Sequence, residues 1–228
     1  MSPRDAVDLT HTLRLDFPHY PGDEPPRVVA CCTLAEHGFA TRRWQLDEHS
    51  GTHLDAPAHF YADGLTVDQL PLRSLVAPLA VVGFARPPRP DDELSVADLL
   101  ADEQAHGPIA PGSAVLLNAG WHHLSADAAR YTGLDEAGAL HFPGCSAAAA
   151  RWLIEQRQVV GIGIDTLSLD RGLATELAAH QVVLGAGRWI VENVANLDTA
   201  PARGALLVVG LAKLSGGTGA PVRLMAMV

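Results

Sequence analysis

The chain predicts an α/β fold. Three observations carry this. Apolar stretches at 79–84, 112–118 and 159–164 read as buried strands. Segments of helical periodicity lie between them, each introduced by a capping residue, Ser95 and Ser146. The stretch 146–166 runs from helix into strand, which fits a β–α–β unit. With 228 residues, 48% of them apolar, the chain can bury a substantial core. That length allows one large domain or two small ones. The patterns continue on both sides of the proline-rich 86–92 stretch, so a single domain over 1–228 is expected.

Val7–Thr10 alternates apolar and polar residues and predicts a short strand. The Pro- and Gly-dense stretch 17–26 predicts a turn-rich loop, within which Tyr20 is a candidate pocket wall. Arg27–Thr33 and Thr41–Leu46 read as strands leading into a histidine-rich run. Asp63-Gly64 marks a turn, 68–72 a connector, and Leu79–Phe84 an apolar strand. Ser95 with Asp98 three positions on imitates a capping box, and Val96, Leu99 and Leu100 follow at helical spacing. After the 112–118 strand, Trp121 is a second candidate pocket wall. The adjacent His122 and His123 read as a solvated loop. Ser146 opens a helix through Arg157 with Ala149, Trp152 and Leu153 on its apolar face. Thr175–Leu184 predicts a helix stopped by Gly185-Ala186-Gly187. Strands are expected at 189–194, 205–212 and 222–228. The last two are separated by a turn, Gly216-Gly217-Thr218-Gly219, that lacks the strand-to-helix context of a phosphate loop.

The formal net charge of −10 argues against nucleic-acid partners and against attraction to anionic membranes. Met1–Asp8 is mostly polar and charged, with no secretory leader pattern, and no apolar run reaches membrane-spanning length. Cys31, Cys32 and Cys145 form no disulfide framework and lack zinc-site spacing. Buried packing and a reducing cytoplasm are the expectations.

The chemistry concentrates in Glu48–Phe60, which places His49, His53, Asp55 and His59 within eleven residues. Imidazole and carboxylate donors of this kind are the usual ligands of a hydrolytic divalent metal. The competing reading is a polar loop whose histidines are merely satisfied. Gly51 and Pro57 oppose a continuous helix. In an extended backbone His53 and Asp55 project to one side, and Gly51 permits a turn that folds His49 back toward them. His59 lies beyond Pro57, and spacing leaves it open as ligand or free acid–base. A serine triad is unsupported, since no G-x-S-x-G elbow is present.

The run His49-Ser50-Gly51-Thr52-His53-Leu54-Asp55-Ala56-Pro57-Ala58-His59-Phe60 resembles the H-x-G-T-H-x-D-x-P-x-H-[FY] signature of the cyclase-like metal hydrolases. That superfamily includes bacterial kynurenine formamidase and isatin hydrolase. The likeness extends through Phe142-Pro143-Gly144, Gly163–Asp170 and His180–Glu192. It implies a mixed β-sheet, barrel-like core with flanking helices. It also implies His49, His53 and Asp55 as metal ligands, Asp55 bridging, with His180 and Glu192 completing a two-metal centre. Two zinc ions per chain are expected, with manganese the alternative. Glu192 beside apolar Ile190 and Val191 needs a partner, and a metal suits it.

By the same resemblance His59 acts in catalysis without binding metal, and the chain pairs as a homodimer. The implied activity is hydrolysis of a small amide, an N-formyl-aryl amide of the kynurenine formamidase type in tryptophan catabolism. Hydrolysis of a cyclic amide, imide or lactone, a ring-forming biosynthetic step, or metal-dependent binding without turnover are the alternatives. Formamidases carry Trp where this chain has Tyr20. Tyr20, Trp121 and Phe142 are the candidate walls for a flat aromatic substrate.

Overall fold

A computed structural model describes residues 5–228. Part of the leader reading, Met1–Arg4, therefore lies outside the described residues. Strand β1 is Ala6–Asp8. A hairpin follows, β2 Arg27–Cys32 and β3 Thr41–Gln45, bridged by the one-turn helix α1, Leu34–His37. Next come β4 His53–Asp55, α2 Leu72–Leu75, β5 Val76–Gly83, β6 Glu93–Leu94 and α3 Val96–His106. The second half contains β7 Ala114–Asn118, α4 Ala128–Thr132, β8 Gly144–Cys145, α5 Ala147–Arg157 and β9 Gly161–Ile164. It ends with α6 Ala178–Gly185, β10 Trp189–Glu192, β11 Leu206–Leu211 and β12 Gly219–Met227.

Seven strands close into a mixed barrel in the order β4-β10-β9-β7-β5-β11-β12 and back to β4. The pairs β5–β7, β7–β9 and β9–β10 are parallel, and the rest are antiparallel. The nine-residue β12 makes closure possible. Its first residues pair with β4, its last pair with β1, and its other edge pairs with β11. Side chains alternate across these strands. Leu54, Leu79, Val81, Leu116, Val191, Leu207 and Leu224 fill the barrel. Val82, Leu117, Ile162, Ile164 and Ile190 point outward, under Leu99 of α3, Leu153 of α5 and Val183 of α6.

Both capping serines behave as expected. Ser95 and Asp98 make the reciprocal box, and Ser146 Oγ accepts the Ala149 N–H. The β2–β3 hairpin is the departure. Its residues are largely exposed, including Val29, Phe39 and Trp44, so these strands form a separate two-stranded arm and not part of the core. The burial expected of the cysteines holds for Cys145 alone. Cys31 lies exposed on the arm and Cys32 half-buried, because among the described residues that ribbon pairs with no other strand. No helix among the described residues is long and apolar enough to cross a membrane.

The glycines interrupting β9 have a packing reason. A Cβ on Gly161 would overlap the ring of Trp189, which is 1% exposed and pairs with it across β10. Gly83, by contrast, faces open space. Gly161→Ala is expected to cost about 1–3 kcal/mol through overpacking. Gly83→Ala should fall within about 0.5 kcal/mol of the parent. Urea unfolding of both variants checks this, and equal midpoints would remove the packing account of β9.

Candidate metal centre and its cavity

The antiparallel register of β4 and β10 builds the centre. His53 lies opposite Glu192, Asp55 opposite Ile190, and Leu54 opposite Val191. Leu54 and Val191 turn into the barrel, so His53, Asp55 and Glu192 face the other way, toward α6. Helix α6 brings His180 down onto this face. All four residues are at most 5% exposed. Gly51, at φ +65°, makes the turn that returns half-buried His49 to the same place.

Each carboxylate straddles the cluster. Asp55 Oδ1 lies 2.6 Å from His49 Nδ1 and 3.3 Å from His53 Nε2, while Oδ2 lies 3.5 Å from His180 Nε2. Glu192 Oε2 is 3.5 Å from His53 Nε2, and Oε1 is 3.0 Å from His180 Nε2. Two donors bound about 2.1 Å from one ion at the tetrahedral angle stand about 3.4 Å apart, so the 3.3–3.5 Å separations of Asp55 from His53 and His180, and of Glu192 from His53, suit a shared cation. His59 is exposed to the cavity and stacks on His49 with ring centroids 4.0 Å apart. One nitrogen of His59 lies within 4.8 Å of donors on His49 and Asp55, and no group among the described residues hydrogen-bonds its ring.

A second layer of groups orients these donors. His53 Nδ1 donates to the Gly51 carbonyl at 2.9 Å, which turns Nε2 toward the carboxylates. His180 Nδ1 donates to Asp170 Oδ2 at 2.6 Å. Asp170 also accepts the N–H groups of Ala179 and His180, and so caps α6 from a distance. That capping fixes the first turn at Ala178, and residues 175–177, expected to be helical, lie outside the helix. Leu169 N–H holds Glu192 Oε1 at 2.8 Å. Asn193, in the left-handed region at φ +53°, ends β10 and donates to the same Gly51 carbonyl. Glu48 accepts Thr218 N–H, Thr218 Oγ–H and Gly219 N–H, so the glycine-rich turn is folded over His49. A Cβ on Gly219 would collide with that imidazole.

Asp170, Asn193, Glu48 and Thr218 carried no site assignment from sequence. Two aspartates five apart, Asp165 and Asp170, at the end of an apolar strand were the available signal. Tyr20 lines the cavity, which measures about 540 Å³ and is also walled by Pro18, Leu167 and Leu177. Trp121 and Phe142 do not line it. They are buried behind Leu167 in a cluster with Tyr131 and Leu140, and the indole N–H of Trp121 is spent on the Tyr131 carbonyl. The solvated-loop reading of His122 is likewise corrected: it is 4% exposed and donates from Nδ1 to Asp165 at 3.0 Å.

Charge balance dominates the cluster. Burial alone would raise the pKa of Asp55, but the surrounding imidazoles hold it well below the usual carboxylate range. Burial disfavours charge on His53, yet Asp55 and Glu192 lift it to about 9. Burial lowers the pKa of His59, so its ring is a neutral base at pH 7.

A family model described as a putative cyclase matches residues 7–171. Isatin hydrolase of Roseibium aggregatum is 36% identical over 201 residues, 83% of this chain and 75% of the relative. Kynurenine formamidase of Paracidovorax citrulli is 29% identical over 227 residues, 97% of this chain and 96% of the relative. Isatin hydrolase A from Labrenzia aggregata, solved bound to benzyl benzoate, superposes with a TM-score of 0.92 at 32% identity, over 98% of this chain and 93% of that one. A structure described as a potential metal-dependent hydrolase with cyclase activity gives a TM-score of 0.74 at 26% identity, over 97% and 96%.

The raised His53 pKa sets a pH dependence. Metal-free protein keeps that proton below about pH 9. The proton adds stability in full below the free-imidazole value of about 6.5, and this is lost as pH rises through the folded value. A metal requires the bare imidazole. Zinc added to metal-free protein at pH 7 should therefore expel protons, and its affinity should rise with pH until about 9. A pH indicator in weak buffer measures the release. Zinc uptake without proton release would show His53 already neutral.

Proposed function

The chain belongs to the cyclase family of metal-dependent hydrolases, and from that membership we propose that it hydrolyses N-aryl amides, N-formyl-aryl amides of the N-formylkynurenine kind first among them. The observation that carries this reading is the five-donor cluster itself: two buried carboxylates straddling three imidazoles on the wall of an open cavity. His49, His53, Asp55, His180 and Glu192 would hold the metal, and five donors exceed what one open tetrahedral site uses. Two zinc ions per chain are the proposed complement, with manganese the alternative. When bound, divalent metal supplies Lewis acidity that polarises a substrate carbonyl and makes water acidic near neutrality.

The protein's own groups supply binding and proton movement. Asp170 and the Gly51 carbonyl keep His180 and His53 in the tautomers that present Nε2 to the centre. Tyr20 flanks the cavity as a neutral phenol, because burial and the Glu192 charge both push its pKa up. His59, neutral and without a protein hydrogen-bond partner among the described residues, takes a proton on the water side and returns it to the leaving nitrogen. An arylamine leaves poorly as an anion, so this protonation accompanies C–N cleavage.

A second reading, hydrolysis of a cyclic N-aryl amide of the isatin kind, draws on the 36% identity between this chain and the isatin hydrolase of Roseibium aggregatum. The resemblance to formamidases adds that Tyr20 stands where they typically carry Trp. Both substrate types place the scissile nitrogen on an arene, so the same proton donor serves both. A panel of formyl-aryl amides, isatin-type cyclic amides and lactones, assayed with zinc- and manganese-loaded protein, separates the readings. Turnover of formyl-aryl amides is the expected result. Turnover of cyclic amides alone would transfer the assignment to the second reading, and turnover of lactones alone would remove both.

His59→Ala is expected to keep its metal, about two ions per chain, while turnover falls roughly 10²–10⁴-fold. His53→Ala should lose metal and activity together. Metal content measured beside single-turnover rates distinguishes the two. An emptied site in His59→Ala would make His59 a ligand and require another acid.

A further inference from the structure

A second constellation of metal-binding groups lies outside the cavity. The 3-10 turn Trp121–Leu124, at the end of β7, sets His122 beside His123 with ring centroids 3.9 Å apart. The turn Leu197–Thr199, beyond β10, brings Asp198 to the same spot. His122 Nε2 lies 3.3 Å from Asp198 Oδ1, and His123 Nε2 lies 3.5 Å from Asp198 Oδ2. One donor atom from each of the three residues falls within 4.8 Å of the others.

His122 singles this place out from an ordinary surface cluster. Its ring is 4% exposed, and Nδ1 donates to the fully buried Asp165, which also accepts N–H groups from Ala119, Trp121 and His122. Nδ1 is thereby committed to Asp165, and Nε2 is the nitrogen that faces Asp198. Among the described residues that buried Nε2 makes no well-aligned hydrogen bond, although Asp198 Oδ1 lies 3.3 Å away. A carboxylate holding one imidazole nitrogen so that the other meets a metal is a recurring arrangement, and His180 with Asp170 follows the same pattern in the cavity. His123 and Asp198 are 62% and 50% exposed, so an ion can enter from solvent.

We propose that His122, His123 and Asp198 form a separate binding site for a divalent transition metal. Two imidazoles and one carboxylate suit zinc, nickel or cobalt, and not the oxygen-seeking calcium or magnesium. Open positions on the solvent side are left for water. The ion clasps the turn after β7 to the turn after β10, which follows Glu192 and Asn193 in the chain. Its role is therefore structural. The competing occupant of Nε2 is a proton, which Asp165 and Asp198 also favour.

Holoprotein with its catalytic metal loaded and excess removed is titrated with zinc alone in a calorimeter. The expected result is about one further ion per chain. The variants His123→Ala and Asp198→Asn should each weaken that step at least roughly tenfold, since each removes one donor. Both side chains are half or more exposed, so the fold and the turnover of the loaded enzyme should be retained. The thermal midpoint of the parent should rise on addition of zinc, and that of the variants should not. No further equivalent, or an equivalent unweakened in either variant, would overturn the site and leave His122 and Asp198 as an ion pair.

Discussion

Two carboxylates, Asp55 and Glu192, are carried to 1% and 5% exposure on facing strands, and the surroundings of both follow from that burden. An isolated buried carboxylate is too costly to stay ionised. Here each is met by positive or proton-bearing groups on two sides: His49, His53 and His180 at Asp55, His53, His180 and the Leu169 N–H at Glu192. In the metal-free state protons on the imidazoles provide the balance, which is why His53 is pushed up to about 9 and Asp55 well below its usual range. Protons and a divalent cation compete for the same lone pairs. A cluster that draws protons this strongly is one that a metal can occupy by displacing them.

The second layer makes the competition productive. Imidazoles that only balanced charge would be free to rotate. Those of His53 and His180 are fixed by a backbone carbonyl and by Asp170, respectively. The Gly51 carbonyl accepts from both His53 and Asn193, and Asn193 receives the hydroxyl of the buried Tyr131. Asp165 links the same Tyr131 to His122. A continuous polar network thus runs from the cavity wall to the turn after β7, each member restraining the next.

Local chemistry was legible in the sequence where the determinant itself was local. The alternation of His53, Leu54 and Asp55 shows which residues share a face, and the capping residues Ser95 and Ser146 mark two helix starts. Barrel closure was legible only through resemblance. It depends on β12 pairing with β4, more than 160 residues earlier, and alternation within so short a strand does not say which distant strand will pair with it. Tyr20 reached the cavity as expected. Trp121 and Phe142 did not, because an aromatic beside a site and an aromatic behind it look alike in sequence. The exposure of the hairpin is hidden in sequence for a similar reason: Val28 and Val29 at 27–33 fit a pleated surface whether or not anything covers it.

The seam between β4 and its neighbours joins fold to function. His53 and Asp55 come from one side of it, Glu192 from the strand that faces them, and His180 from the helix immediately before that strand. On the opposite edge of β4, the first residues of β12 pair with it, and Gly219 leaves the room His49 needs. Glu48 holds this turn in place by three hydrogen bonds. The strands that close the barrel therefore also assemble the two halves of the donor set, so the centre cannot be complete in a chain whose barrel is open. Burying Leu54, Val191 and Ala220 on the inner face draws the carboxylates together on the outer one. The apolar side of each short strand supplies the free energy that its polar side requires.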